Sequence, residues 1–150
     1  MFGTLSQGAN AYAKLGVETG VLAASPHKLI MMLFDGAVTA VASAMTCMQN
    51  GNIAGKGQAI SKAIRIIDDG LRASLDKSSG GNIAINLDAL YEYMSHGLLL
   101  ANLNNDPVKL EEVHRLLMEL RAAWSAIDTA TYPDPRNESA DAAQPQFAKV

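Results

Sequence analysis

Apolar residues recur every three or four positions through most of the chain, in four separate stretches. The first runs from Leu29 to Met48. The second carries Ile60, Ile64, Ile67, Leu71 and Leu75, with Ala63 and Ser74 beside them. Leu87, Leu90, Tyr91, Met94, Leu98 and Ala101 make the third, and Leu110, Val113, Leu117, Leu120, Trp124 and Ile127 the fourth. Steps of three and four put each set on one side of a helix. No stretch alternates at period two over the length of a strand, so the pattern predicts helices and no sheet.

The residues between these stretches agree with that reading. Ser25 is placed to cap the first helix, and Pro26 suits its first turn. Lys28 stands where a glutamate would complete a capping box, so that box is missing. Asn50-Gly51-Asn52 ends the helix, because these residues tolerate a left-handed backbone. Ser78-Ser79-Gly80-Gly81 follows the second helix, and Asp106-Pro107 opens the fourth. Four amphipathic helices joined by short links predict an all-α, antiparallel four-helix bundle over residues 25–128. Residues 1–24 read as an N-terminal arm, with Tyr12, Leu15 and Val17 forming a helical turn or an extended strap on the bundle. Tyr132 to Ser139 holds turn formers and no apolar stripe, so 129–150 read as a disordered C-terminal tail.

The first helix has more apolar surface than the others. At about 100° per residue, Leu29, Leu33, Gly36, Ala40, Ala44 and Cys47 share one face. Phe34, Val38, Val41, Met45 and Met48 form a second stripe. A helix at the rim of a bundle needs only one. The surplus is expected to be covered by the arm, by a dimer partner, or by an external amphipathic helix lying in a groove. Seven methionines suit an adaptable surface, although methionine at helical spacing also serves as plain core. Gly36 in mid-helix suggests close approach of another backbone. Trp124, the single tryptophan, belongs to the fourth stripe and reads as core with an N–H that needs an acceptor.

Composition narrows the classes of function. The 150 residues are 49% apolar, enough for one packed domain. Twelve basic against fifteen acidic residues give a net charge of -3, and without a basic run nucleic-acid binding is not expected. The lone Cys47 excludes an internal disulfide and a cysteine-rich metal site. The opening Met1-Phe2-Gly3-Thr4 has the features of no signal peptide. Leu29–Met48 has the length of a membrane span but holds Asp35, Thr39, Ser43 and Thr46. A mid-span aspartate costs roughly 3 kcal/mol, so a buried bundle helix is the better reading and no membrane insertion is expected.

Candidate chemistry is sparse. A di-metal bundle needs Glu-x-x-His on two helices and an inward glutamate on the other two. Glu111 and His114 match once, whereas Glu92 and His96 are four apart. Glu111 lies roughly 150° from the centre of its apolar stripe on a helical wheel, and Glu92 and His96 lie about as far from theirs. These residues read as solvated, and no metal or cofactor is expected. Cys47 sits in an apolar helix and His27 lacks a sequence partner, which disfavours a nucleophilic site. Gly51, Gly55 and Gly57 flank Lys56, but no strand precedes them, so they read as a linker and not a phosphate loop. An enzyme is not expected.

Several runs resemble the flagellar secretion chaperone FliS family. Asn10-Ala11-Tyr12, Val17-Glu18-Thr19, Ala24-Ser25-Pro26 and Leu29 through Ala37 look like its opening. Lys62-Ala63, Ile66-Ile67, Leu71 and Ser74-Leu75-Asp76 are similar to its second helix. Asn86-Leu87, Leu90 through Met94 and Ala101-Asn102 are similar to the third, and Leu110 through Val113, Leu116-Leu117, Glu119-Leu120-Arg121 and Trp124 to the fourth. The resemblance covers about residues 10–127, and the stretch from Thr19 to Pro26 is longer than the family's compact form.

It implies a cytoplasmic, non-enzymatic chaperone without cofactor. Such a protein binds the disordered C-terminal segment of flagellin, prevents premature polymerisation and delivers flagellin to the flagellar type III export apparatus. Components of the export gate are a further expected partner. The family's N-terminal segment can cover part of the binding surface, which assigns Asn10 and Tyr12 to partner binding. Phe34, Val38, Val41 and Met45 join them from the surplus stripe. The expected state is a monomer or weak homodimer. The alternative is a structural helical module that dimerises through the first helix.

Overall fold

The computed structural model describes residues 25–127. The arm, the tail and the residues Asn10 and Tyr12 lie outside them. Within the described residues the chain is helical and contains no strand. Helix α1 spans Pro26–Gln49. Helix α2 spans Ile53–Arg65 and continues through a π-helical segment, Ile66–Leu71, and a 3₁₀ turn, Arg72–Ser74. Helix α3 spans Lys77–Asn104 and α4 spans Pro107–Ala126.

The caps follow local chemistry. Ser25 Oγ accepts from the Lys28 backbone N–H, and Asp106 Oδ1 accepts from those of Val108 and Lys109. Both satisfy N–H groups that lack an intrahelical partner. Asn52 caps α2 by accepting from the Gly55 N–H. Gly51 turns the chain at φ +73°. Asp76 accepts from Ser78 and Ser79, so the Ser-Ser-Gly-Gly stretch, expected as linker, opens with a capped helical turn. Gly81 then breaks it at φ 61°, ψ −140°, a backbone that favours glycine.

Contacts along the helices establish an antiparallel four-helix bundle. Between α1 and the second helix, a Cβ on Gly36 would lie 3.3 Å from Ile66 and one on Gly70 would lie 2.9 Å from Leu33. Gly36 is therefore approached by the Ile66 side chain, where the sequence suggested a backbone. Asp68 accepts from Ser95, and Arg72 pairs with Asp88 at 2.7 Å. Tyr93 donates to Glu112 at 2.8 Å. His27 meets Trp124, and Asp35 pairs with Arg121. A Cβ on Gly97 would lie 3.1 Å from Lys109, so in every pair of neighbouring helices one number rises as the other falls.

The core is apolar and continuous through all four helices. Helix α1 supplies Ile30, Leu33, Phe34, Ala37, Ala40, Val41 and Ala44 to it. The two apolar stripes of α1 are both used, because the helix packs on α2 and its π extension on one side and on α4 on the other. Its exposed positions include Asp35, Thr39, Ser43 and Thr46, which are polar. Helix α1 is thus long and apolar enough to cross a membrane by length and composition alone, but it has the placement of a core helix. The π segment inserts extra backbone into the second helix and brings Ile66 into the core beside Ile67, Gly70 and Leu71.

Candidate functional site

The four stripes do not fill the bundle evenly. At the end where α1 begins and α4 finishes, they leave a cleft of about 570 Å³. Pro26, Ile30 and Phe34 enter it from α1, and Leu71 and Leu75 from the end of the second helix. Ile83, Leu87 and Tyr91 come from α3, and Leu120, Ala123, Trp124 and Ile127 from α4. Every helix of the bundle therefore supplies a wall. The break at Gly81 lies just before Ile83, whose side chain stays 73% exposed at the rim.

Few polar groups line this cleft. His27 stacks on Trp124 with ring centroids 5.7 Å apart, and its Nε2 lies 2.8 Å from the Trp124 carbonyl oxygen. Ser74 Oγ donates to the Gly70 carbonyl at 2.6 Å. Burial pushes the Tyr91 phenol well above the usual tyrosine range and keeps it neutral. Trp124 Nε1 is buried without an acceptor among the described residues. A cleft with such walls offers apolar area and no reactive group, so it suits an amphipathic segment better than a small polar substrate.

The predicted site residues are divided by the structure. Phe34, 2% exposed, forms part of the cleft wall. Val41 is fully buried in the core, away from any surface. Val38 and Met45 are half-buried against that core, and Met45 also borders a second hollow at the opposite end, together with Lys56 and Ile53. The surplus stripe is consequently shared between core and cleft. Glu92, His96 and Glu111 are exposed, on the outer faces where the wheel placed them, and no metal-ligating cluster occurs among the described residues.

Sequence reasoning missed most of the cleft. Leu75, Leu87, Leu120 and Ile127 were visible as members of separate stripes. Their shared feature, a place at the same end of an antiparallel bundle, could have been found by folding the four stripes together and comparing residue volumes at the two ends.

The chain matches the model of the family described as Flagellar protein FliS over residues 8–131. It is 51% identical over 122 residues to the flagellar secretion chaperone FliS of Salmonella typhimurium, covering 81% of this chain and 90% of that relative. The Escherichia coli flagellar secretion chaperone FliS is 46% identical over 132 residues, 87% and 97% of the two chains. That of Vibrio cholerae is 42% identical over 117 residues, 78% and 85%. With the match spanning all four helices, the chain belongs to the FliS family, a family of chaperones and not of enzymes.

Proposed function

We propose that this protein is a cytoplasmic export chaperone for flagellin. It binds the disordered C-terminal segment of flagellin, blocks premature polymerisation and delivers the client to the flagellar type III export apparatus, where gate components receive the complex. The observation that carries this reading is the apolar cleft assembled from all four helices. An amphipathic client helix lays its apolar face into such a groove. The client is disordered before binding, so its ordering entropy must be offset by a large buried surface.

The N-terminal arm is the internal competitor for this cleft. The chain enters α1 at Pro26, which is itself a cleft residue, so residues 1–24 are tethered beside the site. Asn10 and Tyr12 are the proposed anchors of the arm, and Phe34 is the contact in the cleft. Helix α1 shows mainly polar residues outward, which gives the alternative of dimerisation through that helix no apolar face.

Isothermal titration with a synthetic peptide of the flagellin C-terminal segment tests the proposal. One-to-one binding with a strongly negative heat-capacity change is expected. Absence of binding heat at several temperatures, together with no co-elution, rejects it. In the same assay Tyr12→Ala is expected to change peptide affinity several-fold while moving the unfolding midpoint little, because release of a terminal segment is a local opening and not global unfolding.

A further inference from the structure

Polar atoms buried inside proteins almost always have a hydrogen-bond partner, and an exception calls for an explanation. Among the described residues, the only buried side-chain nitrogen or oxygen without one is Trp124 Nε1. The exception falls in the cleft wall. Two of the other polar groups around it are engaged. The Trp124 carbonyl oxygen is within hydrogen-bond distance of His27 Nε2 and accepts from the Ile127 N–H at 3.1 Å. The Ser74 hydroxyl donates to Gly70. The cleft wall therefore combines apolar side chains and the Tyr91 hydroxyl with one indole donor, closed off from solvent, that has no partner.

An indole N–H can only donate, so what it lacks is an acceptor. A continuous amphipathic helix has almost none to give from its backbone, since its carbonyls are bonded internally. Its last turn does, because four carbonyls there lack an intrahelical partner. A side-chain carbonyl or hydroxyl on the buried face would serve equally well in chemical terms. We infer that Trp124 is a specificity-determining residue of the cleft, donating its Nε1–H to a carbonyl or hydroxyl oxygen of the bound segment. The preferred ligand is thus an apolar helix that ends, or carries one polar acceptor, against α4. His27 supports this role by stacking on the indole and holding the end of α4 through the Trp124 carbonyl. The inference rests on the reading of the cleft as the client site.

Trp124 is the sole tryptophan, so the full-length ¹⁵N-labelled protein shows a single indole N–H resonance. The experiment follows that resonance during titration with the unlabelled flagellin C-terminal peptide. Calorimetry of wild type and Trp124→Phe accompanies it. The expected result is a downfield shift of the indole proton and slowed exchange with solvent on binding. Trp124→Phe is expected to bind about tenfold more weakly, the value of one hydrogen bond to a buried donor. Binding by wild type with an indole resonance that does not move downfield, or a variant within twofold of wild type, overturns the inference and leaves the client site standing. If wild type binds no peptide, the client reading itself fails and the inference falls with it. The resonance is read on unaltered protein, so the test survives a variant that folds poorly.

Discussion

The two ends of the bundle are built by opposite rules. At the end where α1 meets α2 and α3 meets α4, polar groups are matched. Lys56, only 4% exposed, donates from Nζ to the Asn102 carbonyl at 3.1 Å and to the Asn105 side chain. It thereby caps the C-terminus of α3, where carbonyls are unpaired and the helix dipole favours a cation. Asn105 sits in the left-handed region at φ 50° to make the turn, and Asn52 and Asp106 cap the two helices that start there. At the other end, α2 loosens into π and 3₁₀ geometry, α3 is interrupted at Gly81, and a buried indole N–H lacks a partner. A bundle needs one end tied by matched polar groups to hold its register. The other end can then leave a cleft open without unfolding the whole.

The largest effect separating the ends is expected at Lys56. Lys56→Met keeps the aliphatic bulk and removes both hydrogen bonds and the charge at the end of α3. A loss of about 2 kcal/mol in urea unfolding is expected, from hydrogen bonds to a charged group less the relief of its desolvation. Peptide binding at the far cleft should change less than twofold. A stabilised Lys56→Met would mean that the buried ammonium costs more than it ties down, and the contrast between the two ends would lose its main support.

This contrast was only half legible in the sequence. Caps are local, so Ser25-Pro26 and Asp106-Pro107 announced two helix starts correctly. The stripes identified the core because burial follows helical period. Lys56 was hidden because lysine among glycines reads as solvated linker, and only the approach of α3 makes it a cap. The π segment was invisible for another reason. Ile60, Ile64, Ile67 and Leu71 keep helical spacing, and that spacing does not separate an i→i+5 stretch from an ordinary helix. On α1 the excess apolar surface was evident, but its division between α2, α4 and the cleft depends on where three other helices lie. Trp124 was expected to need a partner, and the described residues provide none.

A middle-sized effect probes the cleft end. His27→Phe preserves an aromatic ring against Trp124 and removes the bond to its carbonyl. A global loss of about 1 kcal/mol or less is expected. Hydrogen exchange should show the difference concentrated in the last turn of α4, as local opening. Equal protection along α4 in wild type and variant would show that this end is as firmly held as the other and would remove the distinction between them.

The smallest effect is electrostatic and depends on pH. Asp88 on α3 receives the Arg72 guanidinium at 2.7 Å and Lys77 at 3.3 Å, beside the cleft end. The Arg72 hydrogen bond holds the Asp88 carboxyl below the usual aspartate range. Folding therefore favours the ionised form. Its contribution is fully present above the unfolded value, near about 4, and is lost as pH falls through the lower folded value. The pair is partly solvated, so its contribution is below about 1 kcal/mol at neutral pH. Asp88→Asn should lower the unfolding midpoint slightly at pH 7, and the gap to wild type should close as pH falls below about 4. A gap that persists unchanged into acid would assign the effect of the substitution to packing around Arg72, and the charge would have no part in fastening α3 beside the cleft.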